Sequence, residues 1–216
     1  MAKVFLGVGH GGSDPGAVAN GFNEKDLNLD IALACNDVLV RHGVSVQMSR
    51  TKDENDNIND EIKECNAFLG TDGLAVDIHN NAGGGDGCEA FYHYKGGVSK
   101  TLADNVLAEI VKIGQNSRGS KTKTNSAGKD YYGFIRETKA PAIIVECAFL
   151  DNKTDVQIID TAAERKNMGV AVAKGILKTL SIDFKEEQKP EPVAKEYVLD
   201  VAKLKAEGYS KIVFSI

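Results

Sequence analysis

Short apolar segments of strand character alternate with longer segments of helical periodicity along most of this 216-residue chain. Strands separated by helices pair in parallel through right-handed crossovers. The alternation therefore predicts an α/β fold, in which a mostly parallel twisted sheet carries helices on both faces. The predicted strands are residues 3–8, 44–49, 74–78, 88–94 and 142–146, and the predicted helices are residues 24–41, 58–69, 99–113 and 162–180.

A charged run with two prolines follows Ile182 and predicts a break in the domain organisation. We expect one main domain at residues 1–182, a linker at 183–192 and a short C-terminal element at 193–216. That element has one helical stretch around residues 198–206 and one strand-like stretch at 212–216. It is too short to fold alone.

The charge balance excludes some classes of partner. The 26 basic and 31 acidic side chains give a net charge of −5, so nucleic acid is not an expected partner. No apolar run approaches the length of a membrane span, so we expect no membrane insertion. The four cysteines show no metal or disulfide spacing and are predicted to be reduced, buried thiols. The sequence leaves the oligomeric state open.

Three ionisable residues follow or end predicted strands. His10 comes directly after the first strand, His79 ends the third, and Glu146 follows four apolar residues in a later strand. Ligands of open α/β sheets gather at the carboxyl ends of the strands. We therefore expect these three side chains at one edge of the sheet.

Glu24 begins the first predicted helix beside the same edge, where the helix dipole favours a carboxylate. Two imidazoles and one carboxylate, with a coordination position left open, are the ligand set of a catalytic zinc. His10, Glu24 and His79 are thus predicted to bind Zn²⁺, with Glu146 as the unliganded base. Each residue also has an ordinary interpretation: a surface or hydrogen-bonded histidine, or an acidic residue that stabilises its helix.

The remaining histidines are assigned no catalytic role. His42 fits the last turn of a helix, and His93 is expected at the surface. The basic residues Arg118, Lys121 and Lys123 are predicted to lie in a solvated loop, where at most they contact a substrate carboxylate.

Two further patterns are rejected as functional motifs. Gly7-x-Gly9-x-x-Gly12 has the letters of a dinucleotide fingerprint, but a loop follows it where the fingerprint requires a helix. Cys147 lies in an apolar context that does not lower a thiol pKa, so it is interpreted as a packing residue.

Four ordered motifs lie between Lys3 and about Leu180. They are Gly9-His10-Gly11-Gly12 with Asp14-Pro15-Gly16-Ala17, Asn23-Glu24-Lys25-Asp26, Ile78-His79-Asn80-Asn81-Ala82, and the segment from Pro141 to Asn152 around Glu146. Together they resemble the zinc-dependent N-acetylmuramoyl-L-alanine amidases of the amidase-3 type, found in bacterial autolysins and phage endolysins. The chain departs from many members at Val8, where they have proline, and at Cys147.

The resemblance implies the same zinc ligands, His10, Glu24 and His79, and the same catalytic carboxylate, Glu146. It implies peptidoglycan as the substrate and cleavage of the amide between the lactyl group of N-acetylmuramic acid and L-alanine. Residues 193–216 would then be part of a wall-binding or assembly region. A non-catalytic wall-binding module of the same fold and a nucleotide-binding oxidoreductase are the alternatives.

The first residues lack the apolar run of a signal peptide. We therefore expect a phage-type endolysin that is synthesised in the cytoplasm and acts on the cell wall after release.

Overall fold

A six-stranded sheet organises residues 1–186 of the computed structural model, which describes residues 1–186 and 201–208. A separate hairpin, β2 (Val18–Ala19) and β3 (Phe22–Asn23), lies ahead of the first helix. The strands of the large sheet are, in spatial order, β4 (Ser45–Met48), β1 (Lys3–Val8), β5 (Leu74–Asn81), β8 (Ala142–Phe149), β6 (Cys88–Tyr92) and β7 (Ser117–Lys121).

Neighbouring strands pair in parallel except β6 and β8, which are antiparallel. The exception arises because β6 follows β5 after a short loop with no crossover helix between them. The prediction of a mostly parallel sheet is confirmed.

The helices are α1 (Glu24–Arg41), α2 (Ile58–Leu69), α3 (Val98–Lys112), α4 (Gly133–Glu137), α5 (Ala162–Thr179) and α6 (Val201–Ala206), with a 3₁₀ turn at Asp155–Ile158. Asn23 occupies the N-cap position of α1, but its side chain donates to Asp26 and does not cap the helix. Thr161 and Glu164 form a reciprocal capping box at α5.

The sheet has a hydrophobic core on each face, as predicted. One core joins α1, α3 and α5 to alternate residues of the central strands, such as Leu6, Val76 and Val145. The other joins α2 and α4 to the residues between them, such as Phe5 and Ile144. All four cysteines are buried free thiols.

The short elements were not predicted, because a few residues carry too little periodicity. They are β2, β3, β7, α4 and the 3₁₀ turn. The prediction of a solvated loop at Arg118 and Lys121 is wrong, since both residues lie in β7. This strand pairs along one side with β6 at the edge of the sheet, where polar side chains are tolerated.

The chain divides into two compact units, Met1–Lys185 and Glu186–Ile216. Of the second unit, the structure describes Glu186 and residues 201–208, with α6 inside the predicted helix at 198–206. Most of the predicted linker at 183–192 and the predicted strand at 212–216 lie outside the described residues. Within the described part of the chain, no helix has both the length and the apolar character that a bilayer crossing requires.

We expect Gly169→Ala to lower the free energy of unfolding by about 1–3 kcal/mol, because it overpacks the contact between α1 and α5. A Cβ at Gly169 would lie 2.4 Å from the carbonyl oxygen of Ile31 and 2.7 Å from Cβ of Ala34. Urea denaturation of the two proteins measures the change. Asn167→Leu, an enlargement on the exposed face of α5, is the control and should have little effect. Equal stability of Gly169→Ala and the parent chain would contradict this packing.

Candidate metal centre

His10, Glu24 and His79 lie together although 69 positions separate the first from the last. One nitrogen of each imidazole and a carboxylate oxygen lie within 4.8 Å of one another. Nε2 of His10 is 3.2 Å from Oε2 of Glu24, and Nδ1 of His79 is 2.9 Å from Oε1. The two imidazole rings meet edge to face with centroids 5.1 Å apart. Among the described residues, these three form a group with the geometry of a metal site.

Three adjacent central strands bring these residues and Glu146 to one edge. His10 follows β1, while His79 and Glu146 are direct partners in the parallel register of β5 and β8. Both side chains alternate with core residues that face α1 and α5, so they lie on the opposite face, beside α2. The expectation that His10, His79 and Glu146 share one edge of the sheet is confirmed.

Two glycines of the loop after β1 make room for the cluster. A Cβ on Gly9 would lie 2.2 Å from the His79 ring, and a Cβ on Gly16 would lie 2.6 Å from both Glu24 and His10. Gly16 also has a φ of +66°, and His10 itself has a φ of +64°, which is uncommon for a non-glycine residue. The loop is therefore shaped around the side chains that it brings together.

Glu24 is buried and accepts hydrogen bonds from several directions. Besides the two histidines, its oxygens accept from the backbone N–H of Ala17 at 2.9 Å, and from the Asn28 amide and the Asn80 backbone N–H at 3.2 Å. Burial raises the pKa of this carboxyl, but the hydrogen bonds from His10 and His79 outweigh burial and hold the pKa far below its usual value. Glu24 is thus an anion fixed between two imidazoles.

The acidic surroundings raise the proton affinity of both histidines in the absence of a metal. The hydrogen bond with Glu24 raises the pKa of His10. Burial lowers the pKa of His79, but the charge and hydrogen bond of Asp77, with Glu24, raise it well above its usual value. A cation bound between the rings would take the place of protons on these nitrogens.

Glu146 has a different environment from Glu24. Its Oε2 atom is buried and has no hydrogen-bond partner among the described residues. Burial raises the pKa of this carboxyl to about 7, although the positive charge of His79 opposes the shift. The two glutamates therefore differ sharply in proton affinity at the same edge of the sheet.

The basic residues on β7 contact Glu89. Glu89 lies opposite Glu146 in the antiparallel register of β6 and β8. Arg118 and Lys121 contact the same oxygen of Glu89 at 2.7 and 2.5 Å. Two cations are therefore paired with one buried carboxylate in the strand next to Glu146.

The other two histidines lie outside the cluster. Nε2 of His93 is 3.2 Å from Oδ2 of Asp130, and the His93 side chain is 35% exposed. His42 is the C-cap of α1 and hydrogen-bonds the carbonyl of Val38, in agreement with its predicted position at the helix end.

Sequence reasoning did not identify the residues that hold the cluster in place. Asn28, one turn after Glu24, donates to the carbonyl of Gly9 and accepts from the Asn80 side chain. Arg50 is buried and donates to the carbonyls of Val8, Gly9 and Lys25. The four-residue spacing places Asn28 beside Glu24 on one face of a helix and could have indicated its role, whereas nothing local identified Arg50.

The model of the Amidase_3 family, described as N-acetylmuramoyl-L-alanine amidase, matches residues 4–178. The chain therefore belongs to this family, and by class it is an amidase. The match confirms the resemblance that the four motifs indicated.

Relatives and solved structures agree with this membership. The chain is 34% identical over 180 residues to the sporulation-specific N-acetylmuramoyl-L-alanine amidase of Bacillus subtilis strain 168, covering 82% of this chain and 67% of that protein. It is 32% identical over 195 residues to the endolysin of Bacillus phage SPP1, covering 86% and 69%. The catalytic domain of CwlV, an N-acetylmuramoyl-L-alanine amidase from Bacillus (Paenibacillus) polymyxa var. colistinus, matches with a TM-score of 0.75 and 25% identity, covering 85% of this chain and 100% of that one.

We expect the metal-free protein to lose stability as the pH rises from about 4.5 through 7, and to go on losing it above that pH. Glu146 binds its proton more tightly when folded, so stability falls as the pH rises between its exposed pKa of 4.5 and about 7. The raised pKa values of His10 and His79 give stability that is complete below 6.5 and is lost as the pH rises through their folded values. Glu24, with its lowered pKa, loses its contribution only in acid.

Urea midpoints in the presence of chelator, measured across this range, test the pH dependence. His79→Asn should flatten the part of the slope above pH 6.5, because one of the two groups with the raised pKa is gone. Stability that stays constant or increases with pH would be inconsistent with the proton affinities of the cluster.

Proposed function

We propose that this chain hydrolyses the amide bond between the lactyl group of N-acetylmuramic acid and L-alanine in peptidoglycan, with a zinc ion held by His10, Glu24 and His79. The observation that carries the proposal is the convergence of ligand atoms from these three side chains within 4.8 Å, with His79 in the neighbouring strand to Glu146, whose Oε2 has no hydrogen-bond partner among the described residues. Membership of the amidase family supports the bond and the substrate.

The residues fit a catalytic zinc. Two imidazole nitrogens and one carboxylate oxygen match the three-ligand sets of such sites, which keep a fourth position open. The pKa of Glu24 is low, so this carboxylate is ionised in the physiological range. When bound, the zinc ion acts as a Lewis acid that lowers the pKa of a water ligand and polarises a carbonyl.

Glu146 has the properties of the proton carrier. Its unpartnered Oε2 takes a proton from the attacking water and returns it to the nitrogen of the leaving amine, first as general base and then as general acid. Burial moves the pKa of Glu146 to about 7, which suits an exchange of protons near neutral pH. Glu24 thus stays ionised as a ligand, and Glu146 transfers the proton.

The alternatives have less support. A wall-binding module without catalysis has no need for three converging ligands and a partly buried acid beside them. A nucleotide site at Gly7, Gly9 and Gly12 lacks the helix that must begin at the glycines, because α1 begins only at Glu24 after a loop and a hairpin.

The proposed role is lytic, of the phage-endolysin type, with action on the cell wall after synthesis in the cytoplasm and release. The similarity to the phage SPP1 endolysin supports this role. Expression inside a susceptible cell should cause lysis only when the membrane is permeabilised, whereas lysis without permeabilisation would contradict the need for release.

Digestion of purified cell walls tests the bond. We expect the protein to release new alanine amino termini without new reducing sugar ends. Chelator should abolish this release and added zinc should restore it, because the site depends on a metal that binds reversibly. New reducing ends, or full activity in chelator, would overturn the proposal.

Glu146→Gln is expected to retain zinc and to lose about 10²-fold or more in the rate of wall hydrolysis, because the base is removed while the ligands remain. Metal analysis and alanine release, measured on the same preparation, check both parts. Glu137→Gln, at a side chain that is 57% exposed, is the matched surface control and should keep the full rate. An unchanged rate in Glu146→Gln would show that another group moves the proton.

A further inference from the structure

A second carboxylate stands behind His79, on the side of the ring away from Glu24. Nε2 of His79 is 3.2 Å from Oδ2 of Asp77, while Nδ1 of the same ring is 2.9 Å from Glu24. The two side chains lie on the same face of β5, because residues two apart along a strand point the same way. The His79 ring thus lies between the carboxylates of Glu24 and Asp77.

Asp77 is built into the protein interior. Its side chain is 3% exposed, and its other oxygen, Oδ1, is buried with no hydrogen-bond partner among the described residues. A buried carboxylate is costly unless it is paired. The pairing that the structure offers to Asp77 is with the Nε2–H of His79.

The backbone at Gly7 makes space for this arrangement. A Cβ at Gly7 would lie 2.7 Å from Oδ1 of Asp77 and 2.0 Å from Oε1 of Glu61 on α2, and Oε1 is also buried without a partner. Both carboxyl groups therefore reach over the same point of β1. A side chain at position 7 would force Glu61, Asp77 or both to move.

The hydrogen bond between His79 and Asp77 determines which nitrogen of the His79 ring is free to bind a metal. An imidazole that donates through Nε2 presents Nδ1 as its acceptor, and a carboxylate in that position also makes Nδ1 more basic. The ligand atoms of the cluster require this orientation, because Nδ1 is the His79 nitrogen that faces Glu24.

We infer that Asp77 is a positioning residue for the proposed zinc site: its carboxylate accepts the Nε2–H of His79 and fixes the ring with Nδ1 toward the metal. The inference rests on the proposed function. Asp14 has the corresponding position behind His10, with Oδ2 at 2.8 Å from Nδ1, but its side chain is 65% exposed. The buried Asp77 therefore constrains its histidine more strongly.

Asp77→Ala should raise the zinc dissociation constant by about 10- to 100-fold, and Asp77→Asn, which keeps an acceptor of the same shape, should fall between Asp77→Ala and the parent chain. Competition with a chromogenic chelator measures the affinity. In the zinc-loaded full chain labelled with ¹⁵N-histidine, His79 should show a slowly exchanging Nε2–H that Asp77→Ala loses and Asp77→Asn retains. If Asp77→Ala does not fold, Asp77→Asn alone carries the test and should still bind zinc about 10-fold more weakly.

Asp130→Ala is a control for the loss of a buried carboxylate beside a histidine. Oδ2 of Asp130 lies 3.2 Å from Nε2 of His93, outside the cluster, and has no hydrogen-bond partner among the described residues. The substitution should change the His93 signal and leave the zinc affinity of the chain unaltered.

The outcomes separate this inference from the proposed function. Parental zinc affinity and an unchanged His79 signal in both Asp77 variants would overturn the inference alone, provided that the parent chain binds zinc and releases alanine termini. If the parent chain binds no zinc, the proposed metal site fails first and the inference fails with it. Equal losses of affinity in Asp77→Ala and Asp130→Ala would also overturn it, because the effect would then not depend on the contact with His79.

Discussion

The carboxylate of Glu24 is the interaction on which the rest of the site depends. A buried anion is tolerated only when donors surround it, and this one receives hydrogen bonds from two imidazoles, two backbone N–H groups and one side-chain amide. The donors come from the loop after β1, from α1 and from β5. The loop, the helix and the strand are therefore tied to one another at the point where the proposed metal ligands meet.

The surroundings of Glu24 and Glu146 explain how one fold gives two glutamates different proton affinities. Glu24 is surrounded by donors and stays ionised. Glu146 is partly buried, its Oε2 has no hydrogen-bond partner among the described residues, and its pKa is raised to about 7. The difference comes from the neighbours and not from the residue type. Glycines at positions 7, 9 and 16 contribute by leaving the volume that the acidic and imidazole groups occupy.

Much of the framework was predictable from the sequence because long elements repeat their apolar residues many times. The predicted bounds of α1 and α2 agree with the structure, and β1 is found at the predicted residues. The five-residue elements β7 and α4 were not predicted, since β7 has no apolar residue and α4 is too short to show a helical period. The wrong interpretation of Arg118 and Lys121 has the same origin: a polar edge strand looks like a loop until its partner strand and Glu89 are known.

The sequence by itself determined the α/β class, the edge of the sheet at which the chemistry gathers and the identity of the four candidate residues, because strand ends and helix starts are local properties of the chain. Only the tertiary structure decided the distances between His10, Glu24 and His79 and the pairing of His79 with Glu146 in neighbouring strands. It also decided the burial of Asp77, Glu61 and Arg50. These properties depend on contacts between residues far apart in sequence, and the proton affinity of a carboxyl group is set by the neighbours that folding brings to it.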